Sequence, residues 1–309
     1  IVLDADHGRR NAGKVAVLYA GQHGYDIAGA NIEIEKRSVT AGLGTDRPVE
    51  REYDGTTDMA AALKKAVTGI TTNGLVEGDN VEIDMSGSTL TATTANADAG
   101  YKKALTVGGI LKFTGSDAVN YEDINAASGA LTLPSGLTAN IRQKTVVVKP
   151  DTTKDYNKTY DGTSALKSAV NPKDTNDVLL LSGMVTRPDP SGGTSTVTED
   201  LKLNYDDITA NYMTGKDASA TTRKNAGTNI DIAYKNIKLA DGTTGKAANY
   251  RLVDAAGNQL YRAALANEPT EMTKEENKGN ERYIGAATTA GGTLWHTGNI
   301  NKRRIDNTA

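Results

Sequence analysis

Two near-copies of one short stretch divide this chain: Tyr-Asp-Gly-Thr-Thr at 53–57 and Tyr-Asp-Gly-Thr-Ser at 160–164. An Asp side chain accepts hydrogen bonds from the backbone that follows it, and Gly adopts positive φ at no steric cost. The stretch therefore predicts a turn with a tyrosine packed beside it, rather than a ligand or metal site. The predicted structural turns consist of Tyr53, Asp54 and Gly55, and of Tyr160, Asp161 and Gly162.

Further phrases repeat in the same order around both copies. Asn-Ala-Asp-Ala-Gly at 96–100 corresponds to Lys-Asn-Ala-Gly at 224–227, and an Asn-Tyr pair follows each of them. A shortened version opens the chain at 11–17. A repeat of about a hundred residues has the size of one small domain. We predict a partial module, two full modules, and a linker with a C-terminal strand segment, at 1–43, 44–149, 150–262 and 263–309.

The hydrophobic pattern is mostly that of β-strands. Apolar and polar residues alternate around 230–232 and 237–239, as expected of a strand with one solvated face. After the first Tyr-Asp-Gly, Met59, Leu63 and Ala66 form a helical stripe, and a shorter stripe follows the second. The predicted fold is mainly β: tandem small modules, β-grasp-like or immunoglobulin-like, each with one short helix after the Tyr-Asp-Gly turn.

Composition excludes several classes of protein. The 309 residues contain no Cys, which excludes disulfides, thiolate metal sites and cysteine nucleophiles. The net charge is -3, from 35 basic and 38 acidic residues that are well mixed, so we expect no nucleic-acid partner. No apolar run approaches the roughly 20 residues of a membrane-spanning helix.

The chain shows no pattern typical of a catalytic or metal site. Its three His residues lack metal-ligand spacing, and no nucleophile elbow or P-loop is present. Acidic clusters at 4–6 and 205–207 raise the alternative of calcium, which needs six to eight oxygen ligands. No twelve-residue calcium loop is present. We therefore expect no enzyme and no cofactor.

Taken together, the ordered phrases resemble the YDG-type repeat modules of large bacterial surface adhesins, the haemagglutinin-like secreted proteins. The likeness covers roughly residues 33–262, and it includes Tyr-Asp-Gly-Thr, Gly78-Asp79-Asn80, the Asn-Ala-Gly phrase and the closing Asn-Tyr pair. The resemblance implies stalk or spacer units at the surface of a bacterium, outside the cell, and it brings no catalytic residues.

The sequence therefore predicts an adhesive or structural repeat region that forms a stalk or fibre. Its partners would be neighbouring copies of itself or adjoining modules of a longer chain, with a host glycan or protein as receptor. One hypothesis is head-to-tail polymerisation by strand addition. The residues proposed as assembly contacts are Tyr283, Ile284, Leu294 and Trp295. The alternatives are a carbohydrate- or mucin-binding module, and an excerpt of a longer chain.

Overall fold

A computed structural model describes residues 2–3, 11–19, 28–189, 194–277, 279–280 and 282–305. The protein is mainly β, with 43% strand and 9% helix, which confirms the predicted class. The chain divides into two compact units. The first consists of residues 1–50, 57–95 and 103–139, and the second of residues 51–56, 96–102 and 140–309. The module boundaries predicted above count repeats along the sequence, and they stay a prediction.

The described residues of the first half of the chain form thirteen strands and one α-helix. The strands are β1 (Val2–Leu3), β2 (Gly13–Tyr19), β3 (Ala28–Ile34), β4 (Thr40–Thr45), β5 (Val49–Glu52), β6 (Val67–Asn73), β7 (Glu82–Asp84), β8 (Thr91–Thr94), β9 (Gly100–Gly108), β10 (Ile110–Thr114), β11 (Ile124–Asn125), β12 (Leu131–Thr132) and β13 (Thr138–Arg142). Single 3-10 turns lie at Ala118–Asn120 and Ala126–Ser128.

Small sheets and one helix build the first unit. Strand β4 lies between β12, which is parallel to it, and the antiparallel β6. Strand β10 pairs with β7 and β11, β8 pairs with β9, and β1, β2 and β3 form a separate meander. Leu111 of β10 is fully buried in this unit, because the alternating pattern turns one apolar row of each strand inward.

The helix that follows the first Tyr-Asp-Gly is α1 (Ala60–Ala66), and it buries Leu63 on its inner face. The Asp58 carboxylate accepts a hydrogen bond from the Ala60 N–H at 2.8 Å, as expected of a residue near a helix start. At the equivalent place in the second copy the chain forms a single 3-10 turn, Ser168–Val170, so the short helix predicted there is not confirmed as an α-helix. Pro172 disfavours helical dihedrals at the residue before it, and Asn171 is extended with ψ 119°.

In the second half of the chain, the residues that the structure describes form twelve strands. They are β14 (Lys144–Pro150), β15 (Lys158–Thr159), β16 (Leu179–Ser182), β17 (Thr186–Pro188), β18 (Thr196–Thr198), β19 (Leu201–Leu203), β20 (Thr209–Tyr212), β21 (Gly227–Ile237), β22 (Leu239–Asp241), β23 (Tyr250–Val253), β24 (Gln259–Arg262) and β25 (Gly292–Asn301). Further 3-10 turns lie at Ala247–Asn249, Thr270–Met272 and Glu275–Asn277.

Two four-stranded sheets form most of the second unit, in the orders β16-β14-β23-β24 and β15-β25-β21-β20. The second of these sheets contains the C-terminal segment of the same chain, since β25 has β15 on one side and β21 on the other. Buried tyrosines supply much of the core, among them Tyr212, Tyr234 and Tyr250. This arrangement suits a chain with a single Phe and a single Trp.

Strand β25 makes a contact that the earlier strand β13 also makes, and the sequence reasoning missed this likeness. The Asn140 side chain accepts the Lys102 N–H at 3.0 Å, and the Asn299 side chain accepts the Asn229 N–H at 2.8 Å. Both donor residues have positive φ, 53° and 49°. In each case an Ile follows the accepting Asn. This Asn-Ile dipeptide is the signal that could have related 297–301 to the repeat.

Candidate functional site

The first Tyr-Asp-Gly stretch is a bend that its own side chains hold closed. The Asp54 carboxylate oxygen Oδ1 accepts both the N–H and the hydroxyl of Thr56, each at 2.8 Å. The Arg51 guanidinium lies 2.7 Å from the same oxygen and donates to the Thr56 carbonyl at 2.6 Å. Gly55 has φ 79°, a conformation that favours glycine. One carboxylate and one cation therefore fix the bend.

The second Tyr-Asp-Gly stretch has the same geometry. Asp161 Oδ1 accepts the N–H and hydroxyl of Thr163 at 2.9 and 2.8 Å, and the buried Lys158 ammonium donates to both Asp161 and the Thr163 carbonyl at 2.9 Å. The hydrogen bond from Lys158 is the first cause that lowers the pKa of Asp161 to about 2. Sequence reasoning missed Arg51 and Lys158, although a cation three residues before the Asp is visible in both copies.

The two tyrosines differ sharply in their surroundings. The Tyr53 side chain is 5% exposed, and its phenol donates to Glu199 Oε1 at 2.8 Å, whereas Tyr160 is 40% exposed. Both backbones are anchored alike, since the Tyr53 N–H donates to the Arg142 carbonyl and the Tyr160 N–H to the Asn301 carbonyl, each at 2.8 Å. The bends are thus equivalent, but one tyrosine is docked and the other is open.

Tyr53 docks on a buried carboxylate in the second unit. Glu199 is 2% exposed, and its Oε2 accepts the phenol of Tyr250 at 2.6 Å while Arg187 Nε lies 3.3 Å from Oε1. The Tyr53 and Tyr250 rings meet edge to face at 5.4 Å. Burial, and then the hydrogen bonds to Glu199, raise the pKa of both phenols well above the usual range. The phenols therefore remain donors, and both carboxylate oxygens are engaged in holding them.

An asparagine beside Tyr250 holds the Asn-Ala-Asp-Ala-Gly phrase. Asn249 Oδ1 accepts the Ala99 N–H at 2.9 Å, and its amide group donates to Asp98 Oδ1 at 3.0 Å. The Lys246 ammonium completes the contact at 2.8 Å from Asp98 Oδ2. The Asn-Tyr pair at 249–250 therefore binds the phrase at 96–100, about 150 positions earlier in the chain, and meets Tyr53, nearly 200 positions earlier.

The first unit contains a second set of the same contacts. Asn120 Oδ1 accepts the Ala12 N–H at 2.7 Å, and its amide group donates to Asn11 at 3.2 Å. The Tyr121 phenol donates to Asp79 Oδ2 at 2.7 Å and accepts the Val76 N–H at 3.0 Å. The Tyr250 phenol likewise accepts the Val185 N–H, at 3.1 Å. An Asn-Tyr pair thus binds an Asn-Ala-Gly-type phrase in both units.

The four residues predicted as assembly contacts lie in the second unit. Ile284 is buried against Tyr101 and Met272, and Tyr283 beside it is half-buried. Leu294 is buried in β25 opposite Tyr234, and Trp295 is partly buried in the same strand. Ile284 and Leu294 are thus engaged within one chain, and the role of the four residues in assembly stays a prediction.

The described residues gather no group of three or more His, Asp or Glu side chains that could hold a metal ion. At 205–207, Asp207 accepts hydrogen bonds from Asn204 and Lys238. The cluster at 4–6, His7 and His23 lie outside the described residues. Burial lowers the pKa of His296, which packs edge-on against Tyr156 at 4.2 Å. In the same described part of the chain, no helix is long and apolar enough to cross a membrane.

The strands, bends and tyrosine–carboxylate contacts define a mainly β protein in which polar clusters hold distant segments of the chain together. Comparison with known families finds a YDG domain at residues 35–128. That stretch contains the first bend, Asp79 and the Asn120-Tyr121 pair, so the predicted resemblance to YDG-type modules is confirmed for this part of the chain. No curated protein and no solved structure matches the chain.

Proposed function

We propose that the chain is the structural and adhesive repeat region of a secreted bacterial surface protein, in which tandem modules form a stalk or fibre outside the cell. The observation that supports it is the recurring contact at the Asn-Tyr pairs. Asn249 and Tyr250 hold Ala99 and, through Glu199, the bend of Tyr53, and Asn120 and Tyr121 hold the earlier Ala12 and Asp79. Each repeat would thereby anchor the one before it.

The chemistry of these contacts suits a load-bearing joint. Hydrogen bonds to ionised groups are about twice as strong as those between neutral groups. Glu199 is buried, so water cannot easily replace a phenol that is pulled away. A joint of this kind would resist bending and pulling between repeats, as a spacer must.

Immunogold labelling of intact cells of the source bacterium, with an antibody raised against the purified chain, tests this proposal. Label on the cell surface, in extended structures, is the expected result. Label that appears only after the cells are permeabilised would refute it. Pulling single molecules between two handles adds a mechanical test, because Tyr53→Phe should lower the unfolding force while Tyr160→Phe should not.

The alternative of a carbohydrate-binding module needs an exposed aromatic platform. Among the large apolar side chains that are highly exposed in the described part of the chain, one is a tyrosine, Tyr160. One exposed ring does not form an aromatic platform, which favours the stalk over the carbohydrate-binding module. Binding on a glycan array that is lost in Tyr160→Ala would reverse this preference.

Strand addition as the route to a fibre stays a prediction. In this structure Leu294 and Trp295 pair with Tyr234 and Ala233 of β21, while β15 pairs with β25 only at Ile300 and Asn301.

A further inference from the structure

The bend of Tyr53 covers one particular surface of the second unit. Val185 beneath it is 4% exposed. A Cβ atom at Gly55 would lie 3.1 Å from Val185 Cγ1 and 2.8 Å from Arg187 Cδ, so the backbone of the bend approaches this surface closely. Tyr53 itself reaches Glu199 and the edge of Tyr250. A docked Tyr-Asp-Gly bend therefore needs an exposed Val, a carboxylate and a Tyr.

The first unit contains the same three groups in the same backbone arrangement, as Val76, Asp79 and Tyr121. Asp79 donates its N–H to the Val76 carbonyl at 3.2 Å, and Glu199 donates its N–H to the Val185 carbonyl at 2.8 Å. The glycines two residues before the valines have φ of 97° and 93°. Tyr121 meets Val76 and Asp79 as Tyr250 meets Val185 and Glu199.

In the first unit this surface is open. Val76 is 47% exposed, compared with 4% for Val185. A cavity of about 260 Å³ lies beside it, lined by Arg37, Val76, Asp79 and Tyr121 among others. We call this cavity the tyrosine socket. Asp79 Oδ2 holds Tyr121, and among the described residues no donor meets its Oδ1, whereas both oxygens of Glu199 are engaged.

We propose that the tyrosine socket binds the Tyr160 bend of a second copy of this chain. Tyr160 is 40% exposed, and a Cβ at Gly162 would meet nothing within 4 Å, so this bend presents the surface that is covered in its counterpart. Lys158 and Asp161 hold it in the closed form that Arg51 and Asp54 impose on the docked bend. A preformed bend loses little conformational entropy on docking.

In this contact the Tyr160 phenol donates to Asp79 Oδ1, its ring meets Tyr121, and the backbone of Gly162 lies over Val76. The contact needs the bend alone, so Asn120 keeps its hydrogen bond to Ala12. Bend and socket are different surfaces of one chain, which makes the contact heterologous and lets it continue from copy to copy. The inference rests on the proposed stalk or fibre function, since it supplies the joint between copies.

Sedimentation of the purified chain at concentrations up to about 1 mM, a range in which weak transient contacts associate, tests this contact. The wild type should self-associate, and Tyr160→Ala and Val76→Lys should each weaken association at least tenfold. Both replaced side chains are exposed, so the variants should keep the wild-type melting curve. Leu180, also 40% exposed, gives matched controls, and Leu180→Ala and Leu180→Lys should associate like the wild type.

Mixing the two variants gives a sharper readout. Tyr160→Ala keeps a working socket and Val76→Lys keeps a working bend, so the mixture should form a one-to-one dimer that does not grow. A wild type that stays monomeric, or association that neither substitution changes, would overturn the proposal. If a synthetic 49–57 peptide binds the socket while the chain itself does not self-associate, the socket receives a bend from a different chain. That result would also overturn the proposal. Surface labelling of cells tests the stalk separately, since its result does not depend on the socket.

Discussion

Replacing Tyr53 with Phe removes one hydroxyl group and leaves the ring in place. The lost group donates to Glu199 Oε1 at 2.8 Å, in a cluster where Glu199 is 2% exposed. The edge-to-face contact with Tyr250 does not involve the hydroxyl and should persist. The substitution therefore isolates the hydrogen bond between the bend and the buried carboxylate.

The expected loss follows from the charge of the acceptor. A hydrogen bond to an ionised group contributes about 1.5–3 kcal/mol, and a buried acceptor cannot recover it from water. Arg187 Nε, 3.3 Å from the same oxygen, remains as a partner and reduces the loss. We expect a decrease of about 2 kcal/mol in the free energy of unfolding. In a domain of about 150–250 residues this lowers Tm by roughly 4–8 °C.

Urea denaturation followed by circular dichroism measures this loss, with thermal melts as a second readout. The control is Tyr160→Phe, which makes the same change in the equivalent but exposed tyrosine and should alter stability by less than about 0.5 kcal/mol. Tyr250→Phe should cost more than Tyr53→Phe, because the Tyr250 hydroxyl also accepts the Val185 N–H at 3.1 Å. Equal effects of Tyr53→Phe and Tyr160→Phe would show that the Glu199 cluster does not anchor the bend.

Three further outcomes can be measured on the same protein. Gly55→Ala should destabilise more than Gly162→Ala in urea, because both have φ near 80° but a Cβ at Gly55 would also meet Arg187 Cδ at 2.8 Å; equal losses would mean that this clash relaxes. Asn249→Ala should lower the free energy of unfolding by about 1–3 kcal/mol and speed hydrogen exchange at the amide of Ala99. Unchanged protection of that amide would show that Asn249 does not hold it. The pKa values of Tyr53 and Tyr250 are raised by burial, so the folded state holds these protons more tightly than the unfolded state. The resulting contribution to stability is complete below about pH 10 and is lost as the pH rises above it. Tyrosinate absorbance from these two side chains should then appear together with unfolding. Titration of both phenols in the folded protein near the usual tyrosine pKa of about 10 would contradict this.

The bends show how far local sequence can be read. Asp54 and Asp161 lie two residues before a Thr whose N–H and hydroxyl they accept, and such contacts need no tertiary structure. The alternating strands and the absence of Cys likewise point to a β-rich chain without disulfides. The second copy forms only a single 3-10 turn, because its apolar stretch is short and Pro172 ends it.

The docking of the bends could not be read from the same residues. Tyr53 and Tyr160 stand in nearly identical sequences, yet one is buried on Glu199 and the other is open. The difference comes from Glu199 and Tyr250, which lie 146 and nearly 200 positions from Tyr53 and meet it through the sheets of the second unit. No local spacing relates residues that far apart.

The sequence by itself therefore determines the repeat, the bends with their closing hydrogen bonds, and the mainly β class, because each depends on neighbours within a few residues. The tertiary structure decides which tyrosine is docked, which carboxylate receives it, and that Val76 and Asp79 border an open socket. The physical reason is burial. A carboxylate becomes a strong and selective acceptor when the fold removes it from water, and long-range packing alone controls that removal.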